Sequence, residues 1–320
     1  MDIKKAKENK LEKEYIDYTN LIFNEVIVID TNKIDELRQY KDINFSNSIF
    51  NNDITFENCE FKKDIIFKNT RFKKNITFIN CIFYGDCIFK NINFNKNITN
   101  KNIFIKSKVK GQKLVFEDVH NLPKLDGIFL SHCCKLILKD IVYEKKDYEY
   151  AKVNYRIAKN QAGIIGDYEK VGHYYYMERY YGGKCIKRKN FDSNVEYVNT
   201  KFIDLLSRYV IGYGEKPLNI FMISFLIISI FALFYMFTGV KNINNEFIGL
   251  NTIKNYNINK IVKHYIDLWY FSMITFTTVG YGDILVPNIL GKTLVSIEVF
   301  FGLTMAASWA SVIFRKISRK

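Results

Sequence analysis

An eleven-residue repeat is the feature that most limits the fold of this chain. Residues 43–97 divide into five blocks: INFSNSIFNND, ITFENCEFKKD, IIFKNTRFKKN, ITFINCIFYGD and CIFKNINFNKN. Every block has Phe at its third and eighth positions and Asn at its fifth. Phe therefore recurs at alternating spacings of five and six residues, which one stripe of an α-helix cannot follow. Because a unit this short cannot bury its own Phe rings, neighbouring units have to stack.

Stacked units of this kind predict a right-handed β-solenoid, with Phe inside and Asn side chains forming ladders between coils. The blocks resemble the pentapeptide-repeat family in its Phe-rich form, and weaker copies continue to about Asp140. We expect an N-terminal cap or segment at 1–42 and the solenoid at 43–140, with its strongest repeats at 43–97. Some members of this family mimic DNA, which requires an acidic surface. The five blocks carry eight cations against five carboxylates, so we expect no nucleic-acid partner and predict a structural domain or one that binds an unknown protein or small ligand.

The six cysteines and four histidines give no sign of a catalytic or metal site. No C-x-x-C pair occurs, and the histidines are scattered along the chain. Reduced, buried thiols in a cytosolic domain are the expected state. We expect neither an enzyme nor a cofactor.

Helical segments follow the repeats. Residues 141–190 predict a helical hairpin with a break at Gly163 and Gly166, which resembles a single tetratricopeptide-type unit. We expect a spacer or a subunit contact, and less readily a peptide-binding element. Residues 191–216 predict an amphipathic helix in the membrane interface. The apolar residues expected on these helices are Tyr150, Val153, Ala158, Tyr168, Val171, Tyr174, Met177, Val198, Phe202, Leu205, Leu206 and Tyr209.

Two apolar runs, 218–240 and 289–314, are each long enough to cross a membrane, although the mean hydropathy of the chain is −0.11. About 20 helical residues span a hydrocarbon core of roughly 30 Å. Cations precede the first run and follow the second, so we place both termini in the cytoplasm and the chain in a bacterial plasma membrane. Glu298 lies inside the second run. A hydrogen bond to a neighbouring helix or a role as a pH or ion sensor could explain this carboxyl group.

Between the two runs, residues 266–277 predict a helix too short to span a membrane, and the motif T-V-G-Y-G-D follows at 278–283. Gly280 and Gly282 allow φ > 0, so successive carbonyl groups can all point to one side. A dehydrated K⁺ ion needs about eight such oxygens, which four chains around one axis can supply. The unit from about Leu218 to Arg315 resembles the two-transmembrane potassium-channel family. A homotetramer in a lipid bilayer, with K⁺ as the transported ion, is what this resemblance implies.

The resemblance also implies roles for individual residues. The selectivity filter would be Thr278, Val279, Gly280, Tyr281 and Gly282, with K⁺ bound at the first four of these, and Val279 and Tyr281 would pack against the pore helix. Asp283 and Tyr270 would support the filter, while Ile274 replaces a glutamate that some members place behind it. Gly302 would be a gating hinge, or else a site of close helix packing. Residues expected to line the pore or form a gate are Leu303, Ala306, Ala310 and Phe314.

The sequence therefore predicts a multidomain chain: a β-solenoid and a helical hairpin, then an all-α two-transmembrane pore domain at 217–320. The expected function is that of a tetrameric, potassium-selective channel with a cytoplasmic regulatory or partner-binding domain. Two alternatives remain open. One is a membrane-anchored scaffold or sensor, and the other is a channel effector that depolarises the cell on sensing a trigger.

Overall fold

The protein is described by a computed structural model that covers residues 15–30, 42–94, 102–250 and 258–318. Two compact units make up the chain, Met1–Lys201 and Phe202–Lys320. The first contains the β-solenoid and a helical hairpin. The second contains the two apolar helices and the elements between them.

Four columns of short parallel strands build the solenoid. Within each column, strands from successive coils pair side by side, and one long strand, Cys87–Phe94, belongs to two columns. The first column contains Tyr15–Asp17, Asp42–Asn44, Ile65–Lys68, Cys87–Phe94, Lys113–His120 and Lys135–Lys139. The second contains Ile22–Phe23, Ile49–Phe50, Arg71–Phe72 and the end of Cys87–Phe94. The third contains Ile27–Asp30, Ile54–Glu57, Ile76–Ile79 and Phe104–Ile105, and the fourth contains Glu60–Phe61, Ile82–Phe83, Ser107–Val109 and Ile128–Leu130.

One coil of the solenoid takes two eleven-residue blocks. Ile43 lies opposite Ile65 and Ile54 lies opposite Ile76, so each block stacks on the next but one. The strand Tyr15–Asp17 already pairs with Asp42–Asn44. The solenoid therefore begins before residue 43, and residues 15–30 of the N-terminal cap or segment expected at 1–42 belong to it. The last residues of the fifth block, 95–97, lie outside the described residues.

The predicted Phe columns form the core of the solenoid. Phe45, Phe67, Phe89 and Phe116 stack in one column with ring centroids 4.9–5.0 Å apart. All four rings are buried. Because identical residues repeat at the same place in each coil, every ring meets another ring, and each such pair adds about 0.5–1.5 kcal/mol beyond area burial.

The repeated Asn has two roles. Its backbone is left-handed in every block, with φ between 51° and 60° from Asn47 to Asn91, and Asn tolerates this conformation better than most residues. Its side-chain amide also bonds between coils. The Asn69 Nδ2 atom lies 2.9 Å from Asn47 Oδ1, and Asn91 Nδ2 lies 2.8 Å from Asn69 Oδ1. The predicted Asn ladder is therefore present.

An ion-pair column lies on the outer side of the first strand column. The Glu117 carboxylate binds Lys139 Nζ at 2.5 Å and Lys90 Nζ at 2.8 Å. The three residues are in register on adjacent coils. The hydrogen bond from Lys139, followed by that from Lys90, lowers the pKa of Glu117 to about 2.

The helical hairpin covers the last coil of the solenoid. Its helices are α1, Tyr148–Ile164, and α2, Tyr168–Lys184, and the short 3₁₀ turn Lys145–Asp147 precedes them. Buried Asn154 bonds to Leu125 N and Pro123 O, and the Gln161 Nε2 atom donates to the carbonyls of Ser131 and Cys134. These side chains satisfy backbone groups that the last coil would otherwise leave unpaired. The hairpin therefore caps the solenoid. This role was not among those expected from the sequence, which were a spacer or a subunit contact.

The expected apolar stripe on α1 is partly wrong. Ala158 is buried as expected, but Tyr150 and Val153 are only half-buried. The buried face is formed instead by Ala151, Asn154, Tyr155, Ala158, Gln161 and Ala162. On α2, Tyr174 is buried and Tyr168 is exposed.

All six cysteines are free thiols. Four are buried, whereas Cys185 is half-buried and Cys133 is exposed. The expectation of buried thiols is therefore wrong for Cys133. Burial raises the pKa of Cys134 to about 12 and raises that of Cys87 well above its usual value.

The second unit contains both apolar helices. They are long and apolar enough to cross a membrane. Val240–Asn242, Phe247–Ile248 and Ile284–Leu285 form a small antiparallel sheet that the sequence did not predict. The helices from the end of the hairpin onward are the 3₁₀ turn Arg188–Asn190, α3 (Asn194–Tyr209), the 3₁₀ turn Gly212–Gly214, α4 (Pro217–Thr238), α5 (Ile258–Phe276) and α6 (Ile289–Ser318).

Several helix bounds differ from the expected ones. The first apolar helix ends at Thr238 because Gly239 has φ 71° and Val240 starts a strand. The short helix expected at 266–277 begins eight residues earlier, at Ile258. The last helix continues past 314 to Ser318. Helix α3 has no buried residue, and its position in a membrane interface stays a prediction.

Candidate functional site

The end of α5 positions the T-V-G-Y-G-D segment. Leu268, Phe271 and Ile274 on this helix are buried among apolar side chains of the second unit. Its additional first turns bury part of Ile261 and Tyr265 in the same cluster, which explains the early start of the helix. The helix ends at Phe276, two residues before the motif.

Backbone hydrogen bonds attach the start of the motif to the last turn of α5. The Thr278 N–H donates to Thr275 O at 3.0 Å. The N–H groups of Val279 and Gly280 both donate to Ile274 O, at 2.9 and 3.2 Å. Any movement of the last turn of α5 along its axis is therefore passed on to the first three residues of the motif.

The motif alternates in backbone handedness. Positive φ angles occur at Thr278 (60°), Gly280 (53°) and Gly282 (77°), but not at Val279 or Tyr281. This alternation is the geometry that turns successive carbonyl groups toward one side of a strand. The two glycines were expected to adopt it, but Thr278 was not, since a β-branched residue rarely does so.

Two motif side chains are largely exposed in one copy of the chain. Val279 is 53% exposed and Tyr281 is 72% exposed. The expected packing of these side chains against the short helix is therefore incomplete within one copy of the chain. An apolar and an aromatic side chain left exposed beside a buried helix indicate a surface that another copy can cover.

The expected partners Tyr270 and Asp283 lie together. The Tyr270 hydroxyl lies close enough to the Asp283 carboxylate for the two groups to interact. The Oδ1 atom of Asp283 is buried and has no hydrogen-bond partner. The next residue, Ile284, pairs with Asn242 in the small sheet, which fixes the chain immediately after the motif.

Glu298 joins three helices. Its carboxyl group is fully buried. The Tyr235 hydroxyl on α4 donates to its Oε2 atom at 2.7 Å, and the Ser272 hydroxyl on α5 donates to its Oε1 atom. The hydrogen bond to the short helix was one of the two expected explanations for Glu298. The role of Tyr235 could not be recognised from the sequence, because an uncharged residue in an apolar run looks like part of the span.

Gly302 packs directly against the end of α5. A Cβ atom at this position would lie 1.9 Å from the Phe276 carbonyl oxygen. Glycine is therefore required here for close packing, which was the alternative to the hinge role. The hinge role stays a prediction.

The four expected pore-lining residues share one exposed face of α6. Leu303, Ala306, Ala310 and Phe314 are all exposed, and Phe314 is 74% exposed. A cavity of about 410 Å³ between α4, α5 and α6 has Leu303, Ala306 and Thr278 in its wall. This apolar cavity meets the motif at its first residue.

The end of α6 contacts the loop before α4. The Arg315 guanidinium donates to the carbonyl of Gly214 and lies 3.6 Å from Glu215 Oε1. Tyr213 in this loop has φ 51°, and its hydroxyl donates to Asp204 Oδ1 on α3 at 2.9 Å. The sequence did not predict this contact, since Arg315 has the composition of an ordinary cation after a membrane span.

In the part of the chain that the structure describes, no group of three His, Cys, Asp or Glu side chains could hold a metal ion. Along residues 278–282 the oxygen donors are the backbone carbonyls and the hydroxyl groups of Thr278 and Tyr281. Uncharged oxygens of this kind suit a monovalent cation that is bound and released during transport.

Comparison with known proteins gives separate matches for the two units. Residues 42–97 match the family described as pentapeptide repeats (9 copies), and residues 221–319 match the family described as ion channel. A curated relative, potassium channel K2 of Plasmodium berghei (strain Anka), is 30% identical over 110 residues. That alignment covers 34% of this chain and only 7% of the relative's length. No solved structure matches the chain. The chain thus combines pentapeptide repeats with an ion-channel domain, as the sequence resemblances predicted.

Proposed function

We propose that this chain forms a homotetrameric, potassium-selective channel in a bacterial plasma membrane. Residues Thr278 to Gly282 of four chains would form the filter, with K⁺ held by oxygens of Thr278, Val279, Gly280 and Tyr281. The alternating backbone handedness of this segment carries the proposal. The ion-channel family match and the two apolar helices support it.

The need for four copies follows from the ion. One segment offers a single column of carbonyl groups, whereas a dehydrated K⁺ ion needs about eight oxygens around it. The exposure of Val279 and Tyr281 also favours assembly, because neighbouring copies can cover these side chains. The Tyr270–Asp283 pair supports the outer end of the filter.

The inner half of the pore belongs to α6. Its exposed face, with Leu303, Ala306, Ala310 and Phe314, would line the conduction path, and Phe314 would be the apolar gate. A ring of four Phe side chains can close a pore by excluding water. Gly302 would combine close packing against α5 with a hinge for the helix below it.

The solenoid would be a cytoplasmic domain that regulates the pore or binds a partner. Cations before the first span and after the second favour the cytoplasm for both termini. The free thiols of the first unit fit a reducing compartment. Helix α3, with its exposed apolar face, would lie in the membrane interface.

Ion flux from liposomes tests the proposal. Purified protein is reconstituted under a K⁺ gradient and then under a Na⁺ gradient, and efflux is recorded. We expect K⁺ flux to exceed Na⁺ flux, and we expect Thr278→Cys to reduce it because this change replaces a hydroxyl at the inner end of the filter. Thr293→Cys, at the exposed start of α6, is the matched control.

Two outcomes would contradict the proposal. Equal Na⁺ and K⁺ flux would refute selectivity but keep the pore. Absence of K⁺ flux at every pH, with no effect of Thr278→Cys, would refute the channel and favour a membrane-anchored scaffold or sensor.

A further inference from the structure

The buried carboxyl group of Glu298 has no role in the function proposed above. It lies in an apolar helix, where an ionisable side chain is costly unless it is partnered. Tyr235 supplies a partner from α4 and Ser272 supplies one from α5. Both partners are themselves fully buried. A helix that only crosses a membrane does not require such a group.

Glu298 belongs to a two-point contact between α6 and α5. Glu298 and Gly302 are one helical turn apart on α6, and they meet Ser272 and Phe276, which are one turn apart on α5. Four residues correspond to about 6 Å along a helix. The hydrogen bond at one point and the close backbone contact at the other fix how far α5 can slide along α6.

The residues between these two points hold the filter. Ile274 and Thr275 lie between Ser272 and Phe276, and their carbonyls accept the N–H groups of Thr278, Val279 and Gly280. A displacement of this turn would move the carbonyl groups of the filter by the same amount. Sites that bind an ion or a substrate require their coordinating atoms to be held to within about 0.5 Å, so even a small shift of this turn would disturb ion coordination.

We propose that Glu298 is a positioning residue for the selectivity filter, acting through Ser272 and Tyr235. It touches no ion in this arrangement. Tyr235 holds the carboxyl group from α4 and also packs edge-on against Phe271 of α5, with ring centroids 4.9 Å apart. The inference depends on the proposed channel function, because it assigns a role at the same site.

The hydrogen-bond pattern decides which variants keep the contact. The Ser272 hydroxyl has one proton and two acceptors, the Glu298 carboxyl and the Ile228 carbonyl at 2.9 Å. A glutamine at 298 can donate its amide to Ser272 Oγ while its oxygen accepts from Tyr235. Glu298→Gln therefore preserves every hydrogen bond. Glu298→Leu keeps a similar volume but leaves both hydroxyl groups without this partner.

The experiment compares wild type, Glu298→Gln, Glu298→Leu and Tyr235→Phe as full-length protein. Chemical crosslinking first establishes that each variant is a tetramer. The ratio of K⁺ to Na⁺ permeability is then measured in liposomes, and the protection that K⁺ gives against thermal unfolding is measured in detergent. We expect Glu298→Gln to stay within about twofold of wild type. We expect Glu298→Leu to lose about tenfold or more in the permeability ratio, with Tyr235→Phe between them.

Each result separates this inference from the proposed function. A tetrameric Glu298→Leu variant with wild-type permeability ratio and K⁺ protection overturns the positioning role, and so does an equal loss in Glu298→Gln. If Glu298→Leu does not assemble, Tyr235→Phe decides, because it keeps the ring contact with Phe271 and loses only the hydroxyl. If the wild-type protein carries no K⁺ flux but K⁺ still protects it against thermal unfolding, the channel proposal fails. The role of Glu298 is then tested by comparing K⁺ protection among the variants. A wild type with neither flux nor K⁺ protection refutes both.

Discussion

Replacing Gly302 with alanine measures how tightly α6 holds the end of α5. The added Cβ atom would lie 1.9 Å from the Phe276 carbonyl oxygen and 2.8 Å from its carbon, whereas ordinary contact begins at 3.4 Å. The two backbones must therefore separate by roughly 1.5 Å at this point. The obstacle is backbone, so no side chain can rotate away to relieve the overlap.

The magnitude follows from two opposing terms. Overpacking of this kind costs about 1–3 kcal/mol, and a rigid backbone obstacle favours the upper part of that range. Alanine returns about 1 kcal/mol through its better helix propensity. We expect a net loss of about 1–2 kcal/mol in the free energy of unfolding, together with weaker K⁺ protection, because the carbonyls that hold Thr278 and Val279 move with Phe276.

The assay is thermal unfolding in detergent over a K⁺ titration, followed by flux in liposomes. The matched control is Gly182→Ala on α2, where the nearest atom to an added Cβ lies 4.0 Å away. This control should be neutral or slightly stabilising. A Gly302→Ala protein with wild-type unfolding and K⁺ protection, but an altered open fraction, would refute the packing argument and favour the hinge.

Three further predictions concern the solenoid. Phe67→Ala should lower the free energy of unfolding by about 3–5 kcal/mol because it opens a cavity in the stacked core. Phe129 is exposed, so Phe129→Ala should change the free energy of unfolding by less than about 0.5 kcal/mol. Denaturant titration followed by circular dichroism compares the two variants. Iodoacetamide at pH 8 should modify the exposed Cys133 and spare Cys134, because burial raises the pKa of Cys134 to about 12. Peptide mass spectrometry identifies the labelled residue, and rapid labelling of Cys134 would contradict its buried position. The pKa of Glu117 falls from 4.5 to about 2 in the folded state, so its stabilising contribution is present above pH 4.5 and is lost as the pH falls toward 2; Glu117→Gln should flatten the pH dependence of unfolding in that range.

The solenoid illustrates how far a repeat predicts structure. Phe spacing predicts a stacked core because residues at equal places in equal units meet on top of one another. The number of blocks in one coil is not determined in this way, since an eleven-residue repeat looks the same whether a block meets its neighbour or the next but one. The pairing of Ile43 with Ile65 settles the question. Residues 16–26 follow the same block, with Asn20 and Phe23 in place, but Tyr18 replaces the first Phe, so the strict Phe repeat did not reveal the coil at 15–30.

The cap shows where apolar patterns fail. Asn154 and Gln161 were not expected on the buried face of α1, because polar residues normally indicate the solvent face of an amphipathic helix. Here the buried partner is the last coil of the solenoid, whose backbone groups need donors and acceptors. A polar residue is favoured on the buried face of a helix when the surface that it covers presents backbone groups between strands that need a hydrogen-bond partner.

The backbone of the T-V-G-Y-G-D motif was predicted more completely than the contacts that support it. The motif specifies its own backbone, and the positive φ angles at Gly280 and Gly282 follow from the two glycines. The supporting contacts join residues far apart in the chain, such as Tyr235 and Glu298. No local pattern relates these two positions. A buried carboxyl group does require a donor at the same depth, but only the packing of α4 on α6 identifies which one.

The two faces of α6 differ in residue type and exposure, although the helix as a whole is apolar. Glu298 and Gly302 each weaken an isolated membrane helix, the first by placing an ionisable group in an apolar medium and the second by its poor helix propensity. Leucine at both positions would make a more stable span. The loss is offset by contacts with the turn of α5 that holds the motif, through Ser272 and Phe276, and by the hydrogen bond from Tyr235 of α4. The other face, with Leu303 and Phe314, is apolar and exposed. One face of α6 therefore holds the last turn of α5, and with it the T-V-G-Y-G-D segment, from behind, whereas the other face is left free to contact water, lipid or another copy of the chain.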